Sequence, residues 1–151
     1  MSEFGLKKVS ESIETLQNNG FFPDVSIADF QNQFYQVSGV DNDKVKYQLI
    51  QSIIEINTRL KTLKEKTELT TLAETDNETV AGKNVLESVY FRAVFSHAKA
   101  KLLPIIVDVM TKDKADSLES NREQLMNEYM GTSNQAIRTL LGLKSATVEL
   151  I

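Results

Sequence analysis

A chain of 151 residues, 41% hydrophobic and 25% charged, has the apolar material for one ordinary globular domain and little more. Its formal net charge of -4 excludes tight, general binding of nucleic acid through a basic field, and the lack of cysteine excludes a disulfide framework, a thiolate nucleophile and a cysteine-based metal site. Residues 1–8 have no apolar leader core, and no stretch nears the roughly 18 apolar residues of a membrane span, so a cytoplasmic protein away from membranes is expected.

Two prolines and six glycines punctuate the chain, which makes long helices the expectation. Residues 6–18 carry a weak helical period (Val9, Ile13, Leu16) that stops at Asn18-Asn19-Gly20, where Asn or Gly takes the left-handed conformation. Residues 1–20 therefore read as a mobile N-terminal arm. In Phe21-Phe22-Pro23-Asp24 the proline pushes Phe22 out of the helical region, leaving two aromatics in a connection. They are anchors, set either in the core or on a partner. Ser26 with Asp29 forms a weak capping box for a short helix through Ala28, Phe30 and Phe34, ending before Gly39.

From Asp41, a good N-cap, the apolar positions Val45, Leu49, Ile53, Ile56, Leu60 and Leu63 recur at steps of three and four, which predicts an amphipathic helix. Residues 67–82 are rich in Thr, Glu, Asp and Asn, with Leu69, Leu72 and Val80 as footholds, and read as a loop over the surface. Asn84 opens a second strong helix with apolar face Leu86, Val89, Tyr90, Ala93, Val94, Ala98, Leu102 and Leu103, which Pro104 kinks or stops. A last helix from Asp116 or Ser117 to Leu141 carries Leu118, Leu125, Tyr129, Ile137 and Leu140, with Gly142 as its stop. Residues 144–151 then combine β-branched and apolar side chains without a turn former, which predicts an extended tail laid against either its own domain or a partner's sheet edge.

Chemistry is sparse. His97 is the only histidine, so neither a His-based metal cluster nor a nucleophilic triad forms within one subunit, and a packed, hydrogen-bonded histidine is expected. The acidic residues Asp113 and Asp116, or Glu74, Asp76 and Glu78, lack the order of a calcium loop and read as solvated faces. Arg59, Lys61, Lys64 and Lys66 are accounted for by the helix dipole and by pairing of Glu55 with Arg59 and Lys61 with Glu65. No catalytic residue, metal or cofactor is assigned, and the chain is expected not to be an enzyme.

Several segments together resemble the head completion proteins of temperate contractile-tailed phages, which belong with the head-to-tail adaptors of the portal ring. They are Phe21-Phe22-Pro23-Asp24 with Ala28-Asp29-Phe30, Glu55-Ile56-Asn57, Val89-Tyr90-Phe91-Arg92-Ala93-Val94, Leu141-Gly142, and Ala146-Thr147-Val148-Glu149-Leu150-Ile151. The resemblance implies a structural virion protein that joins the portal after DNA packaging, stabilises the filled head and connects it to the tail. Its implied partners are the portal protein, a tail connector or terminator protein and further copies of itself in a ring, with passing contact with packaged DNA and none with membrane. Assembly would take place in the host cytoplasm.

The expected architecture is thus all-α: a compact bundle of about four helices (21–142) with an N-terminal arm (1–20) and an extended C-terminal tail (143–151). The expected partner-binding residues are Ala146, Thr147, Val148, Glu149, Leu150, Ile151, Phe21 and Phe22. A small helical interaction module or dimeric regulator is the alternative, separated from the adaptor by formation of a high-order ring.

Overall fold

The computed structural model describes residues 14–34, 40–66, 70–109 and 112–149. The elements run β1 (Thr15–Leu16), β2 (Val25–Ser26), α1 (Ile27–Phe34), α2 (Asn42–Arg59), α3 (Lys61–Lys66), a 3₁₀ turn (Leu72–Thr75), β3 (Thr79–Val80), β4 (Lys83–Asn84), α4 (Val85–Val109) and α5 (Lys112–Glu149). The all-α expectation holds. The strands form only two short antiparallel ribbons, β1 with β2 and β3 with β4.

Local chemistry explains where the helices begin. Ser26 Oγ accepts from Asp29 N–H at 3.1 Å and opens α1. The Asp41 carboxylate accepts from Asp43 N–H at 3.0 Å and opens α2. Asn84 Oδ1 accepts from Glu87 N–H at 3.0 Å and opens α4. All six apolar positions predicted for the helix after Asp41 are buried, four of them completely, and each such side chain contributes roughly 1.5–3 kcal/mol through removal from water. At Leu60 the regular helix breaks for one residue, so the stripe is shared by α2 and α3.

The helix α4 is the central post. Residues 93–98 are buried in succession, which a helix achieves only when neighbours cover it on every side. Two helices supply most of that cover: α5, its most extensive partner, and α2. Contacts of Ala93 with Ser133 and of Lys99 with Tyr129 show that α4 and α5 run antiparallel. The buried face of α5 is Ser133, Ala136, Ile137 and Leu140.

Three expectations are corrected, and one left open is decided. The described part of the N-terminal segment is not helical, because Leu16 pairs with Val25 in a ribbon and Glu14 C=O accepts from Ile27 N–H at 3.1 Å; residues 1–13 lie outside the described residues. Gly20 does take a left-handed φ of 91°, but it closes a turn rather than a helix. Of the kink or stop expected at Pro104, the stop does not occur, since α4 runs on to Val109; packing of Leu102 and Leu103 offsets the roughly 3 kcal/mol that an interior proline costs. The last helix continues through Glu149 instead of ending at Gly142 in an extended tail. Gly142 keeps a helical φ, and its penalty of about 1 kcal/mol relative to Ala is too small to end a helix that its flanking residues continue.

The segment between α3 and α4 is more structured than a surface loop. Leu72 is buried at the start of its 3₁₀ turn, while Val80 is exposed on the β3–β4 ribbon. Thr71 Oγ1 donates to Glu74 Oε1 at 2.9 Å, and hydrogen bonds from Thr70 and Thr71 hold the Glu74 carboxyl below its ordinary pKa.

Candidate functional site

Three segments distant in sequence meet at one corner of the molecule. Asn19 Oδ1 accepts from the backbone N–H of both Phe21 and Phe22 at 3.0 Å, an Asx turn that drives the two aromatic rings inward. Asn18 N–H donates to Asp24 Oδ1 at 2.8 Å and closes the same loop from its other end. The Asn18 amide then reaches out of the loop. Its Nδ2 donates to Pro23 C=O and to the Tyr90 hydroxyl, both at 2.9 Å. Tyr90 donates in turn to Asn57 Oδ1 at 2.6 Å, and Asn57 Nδ2 donates to Asn18 Oδ1 at 2.8 Å.

The result is a closed triangle of Asn18, Asn57 and Tyr90, in which each side chain donates once and accepts once. It ties the turn before β2 to α2 and to α4. Burial raises the Tyr90 phenol well above its ordinary pKa, against the smaller opposing effect of its bond from Asn18, so the ring stays neutral and can donate. Phe22 stacks on Tyr90 with centroids 4.8 Å apart and planes 8° from parallel, and Phe21 meets Phe22 edge-on at 4.9 Å. Phe21 C=O accepts from Leu72 N–H at 2.9 Å, joining a fourth segment to the corner.

A second polar link lies further along α4. His97 Nδ1 is 2.7 Å from Ser52 Oγ, which also accepts from Gln48 Nε2 at 3.2 Å. Burial chiefly, with the nearby Lys101 cation, lowers the His97 pKa and favours the neutral ring. Ser133 Oγ donates to Ala93 C=O at 2.7 Å and pins α5 to the same helix. His97 is therefore the packed, hydrogen-bonded histidine expected from sequence.

These groups pack and position. A neutral phenol held by two amides is neither an activated nucleophile nor a general base. Among the described residues no three His, Asp or Glu side chains gather to hold a metal ion, and no described helix is long and apolar enough to cross a membrane. A cleft of about 560 Å³ lies between α1 and the first half of α4, floored by Phe91 and edged by Asp29, Lys83, Glu87 and Arg92. Its mixed charge marks it for no single ligand chemistry.

Of the residues expected to contact a partner, Phe21 and Phe22 are 4% and 3% exposed. Of the two settings open to these anchors, core or partner, both rings occupy the core of this chain. Ala146, Thr147, Val148 and Glu149 lie on the helical backbone of α5, while Leu150 and Ile151 fall outside the described residues. Sequence reasoning named Asn18 as a turn signal and Tyr90 as a face residue but missed their triangle with Asn57. The available signal was a helical asparagine at the edge of an apolar face, beside a tyrosine whose hydroxyl needs a partner once buried.

The fold and its corner define a helical protein whose polar side chains are used for construction. The model of the phage head completion protein (GPL) family matches residues 16–151, and the chain belongs to that family. It is 28% identical over 141 residues to the probable head completion/stabilization protein of Haemophilus phage HP1 (strain HP1c1), an alignment covering 90% of this chain and 91% of the relative. No solved structure matches. The protein accordingly has a role in phage head assembly and is associated with the virion.

Proposed function

We propose that this protein docks on the portal vertex once DNA is packaged, stabilises the filled head and presents a surface for the tail connector. The observation that carries the reading is the family match, which takes in every described element from β2 onward and continues through Ile151. The structure supports it physically, because a corner held by a closed hydrogen-bond triangle and stacked rings gives a rigid block suited to serve as a plug or spacer. The chain then works as a structural protein and not as an enzyme. Its acidic net charge fits a part set near a DNA channel without holding the DNA.

We assign partner contact to Ala146, Thr147, Val148, Glu149, Leu150 and Ile151, the apolar-rich end of the matched region, with copies arranged around the portal as a ring. Phe21 and Phe22 serve this contact only by holding the block together. The test combines purified full-length chain with the cognate portal and with DNA-filled heads, followed by sedimentation and electron microscopy. A ring of density at the portal vertex, lost when Val148 and Leu150 are both changed to Asp while helicity is retained, is the expected result. Failure to associate with portal or filled heads overturns the docking; association that survives both substitutions overturns the assigned contact residues.

A further inference from the structure

The outward ridge of α2 is apolar where solvent should favour polar residues. Taken at 100° per residue, Val45, Leu49, Ser52 and Ile56 point to the core, and Tyr47 and Ile54 point almost directly away from it. Tyr47 is 64% exposed and Ile54 54% exposed, two of the three large hydrophobic side chains most open to solvent among the described residues. The half-buried Ile50 stands between them, giving a seam of Tyr47, Ile50 and Ile54 at the three- and four-residue steps of helix pairing. Gln51 and Thr58 complete the ridge.

We infer that this ridge is a contact between two copies of the chain, with the α2 helices antiparallel about a dyad between Ile50 and Gln51. The argument is that the sequence of α2 complements itself in that one arrangement. The dyad sets Tyr47 of one copy opposite Ile54 of the other, twice over, so an aromatic ring meets an aliphatic side chain at both ends of the seam. The seam's flanks agree. Lys44 and Glu55, both exposed, lie on the same side of the ridge, and antiparallel helices bring equivalent sides together. Lys44 of one copy then falls within about 3 Å along the axis of Glu55 of the other, from a rise of roughly 1.5 Å per residue. The pair occurs twice. On the other flank Lys46 is occupied by Glu14, 2.8 Å away within its own chain, so no unpaired like charge opposes the approach.

Parallel pairing about the same ridge would instead bring opposite flanks together, so that Lys44 of one copy faces the Lys46 side of the other and its pairing with Glu55 is lost. A contact of two single helices is small, so the dimer is transient and dissociates on dilution. Being isologous, it is used up by two copies and does not propagate into a ring. It is a property of the free chain, independent of whether the portal is the partner.

The decisive experiment is sedimentation equilibrium of the full chain up to millimolar concentration, with Ile54→Asp, Lys44→Glu, Glu55→Lys and the Lys44→Glu/Glu55→Lys double variant alongside. Each single charge reversal should weaken dimerisation about tenfold through two like-charge pairs, the double variant should return it to within about threefold of the parent, and Ile54→Asp should abolish it. All three positions are exposed, so circular dichroism should show unchanged helicity. A parent chain that stays monomeric throughout overturns the inference. So does a double variant no better than the singles, or an Ile54→Asp variant that loses thermal stability without losing association, which would place the ridge's cover within the chain.

Discussion

The two halves of α5 face the same neighbour and live in different surroundings. In the C-terminal half Ser133, Ala136, Ile137 and Leu140 are buried, while in the N-terminal half Arg122, Leu125, Met126, Tyr129 and Met130 are only half-buried. Packing against α4 is common to both. The C-terminal half is also tied to α2, where Arg59 Nη1 donates to Asn134 Oδ1 at 2.7 Å, and it stands level with the Asn18–Asn57–Tyr90 corner, while Lys99 of α4 lies over the Tyr129 ring of the N-terminal half. One helix thus acts as a core element at one end and as a projecting arm at the other. Helical pattern alone does not separate these states, because both halves show apolar residues at helical steps.

The sharpest way to break the comparison is to remove the corner. Phe22→Ala deletes a buried ring together with its stack on Tyr90 and should cost about 3–5 kcal/mol. Urea unfolding should show the whole transition moving, since the corner joins four segments. A cost under about 1 kcal/mol would mean that the corner yields without the rest of the fold.

Next in size, paired truncations along α5 measure the contrast directly. Ile137→Ala, at a position 2% exposed, should cost about 2–5 kcal/mol, and Leu125→Ala in the half-buried stretch no more than about 1.5 kcal/mol. Native-state hydrogen exchange should place the amides of residues 122–130 among the lower opening energies. Equal costs at the two sites would dissolve the distinction between core and arm.

Tyr90→Phe tests the polar part of the corner while leaving its ring stack in place. It strands the Asn18 and Asn57 amides and should cost about 1–3 kcal/mol. Changing Asn57 to Leu in the Tyr90→Phe background should cost less than Asn57→Leu does alone, as a double-mutant cycle of thermal or urea unfolding would register.

The His97 prediction concerns pH. Its folded-state pKa lies below the unfolded value near 6.5, so the unfolded chain takes up a proton first as pH falls. Its contribution to stability is complete above about pH 6.5 and is lost as pH drops through the lowered folded value. A urea midpoint that falls over this window, and falls less in His97→Gln, is expected.

Much of this was legible in the sequence. The six-residue stripe from Val45 to Leu63 and the caps at Ser26, Asp41 and Asn84 are local signals, and each stands where its chemistry puts it. What was not legible depended on distance. The triangle joins residues 39 and 33 apart in the chain, and nothing local tells Asn18 that its amide will satisfy Tyr90 instead of ending a helix. Leu16 looked helical because a two-residue strand is too short to show alternation. The end of the chain misled for the opposite reason: β-branched Thr147 and Val148 read as strand, yet such propensities differ by well under 1 kcal/mol from those of good helix formers, and a long helix already under way overrides them.

The smallest effect lies where the fold departs from good turn chemistry. The β3–β4 ribbon is joined by Ala81 and Gly82, with φ of 53° and 77°, the pair of left-handed residues that a two-residue hairpin turn requires. Glycine meets that requirement freely; alanine, with its Cβ near the following carbonyl, pays roughly 1–2 kcal/mol for it. Ala81→Asn keeps a side chain that tolerates this region, so it should raise stability by a few tenths to about 1 kcal/mol. The gain should appear in urea unfolding only if the ribbon unfolds together with the bundle. Val85 N–H donates to Glu78 C=O at 3.0 Å and Asn84 Nδ2 to Asp76 C=O at 2.9 Å, so the ribbon leads into α4 through its own hydrogen bonds. If instead the substitution slows hydrogen exchange in residues 78–85 without shifting the global midpoint, the ribbon opens on its own, and the projecting arm of α5 is not the molecule's one weakly coupled element.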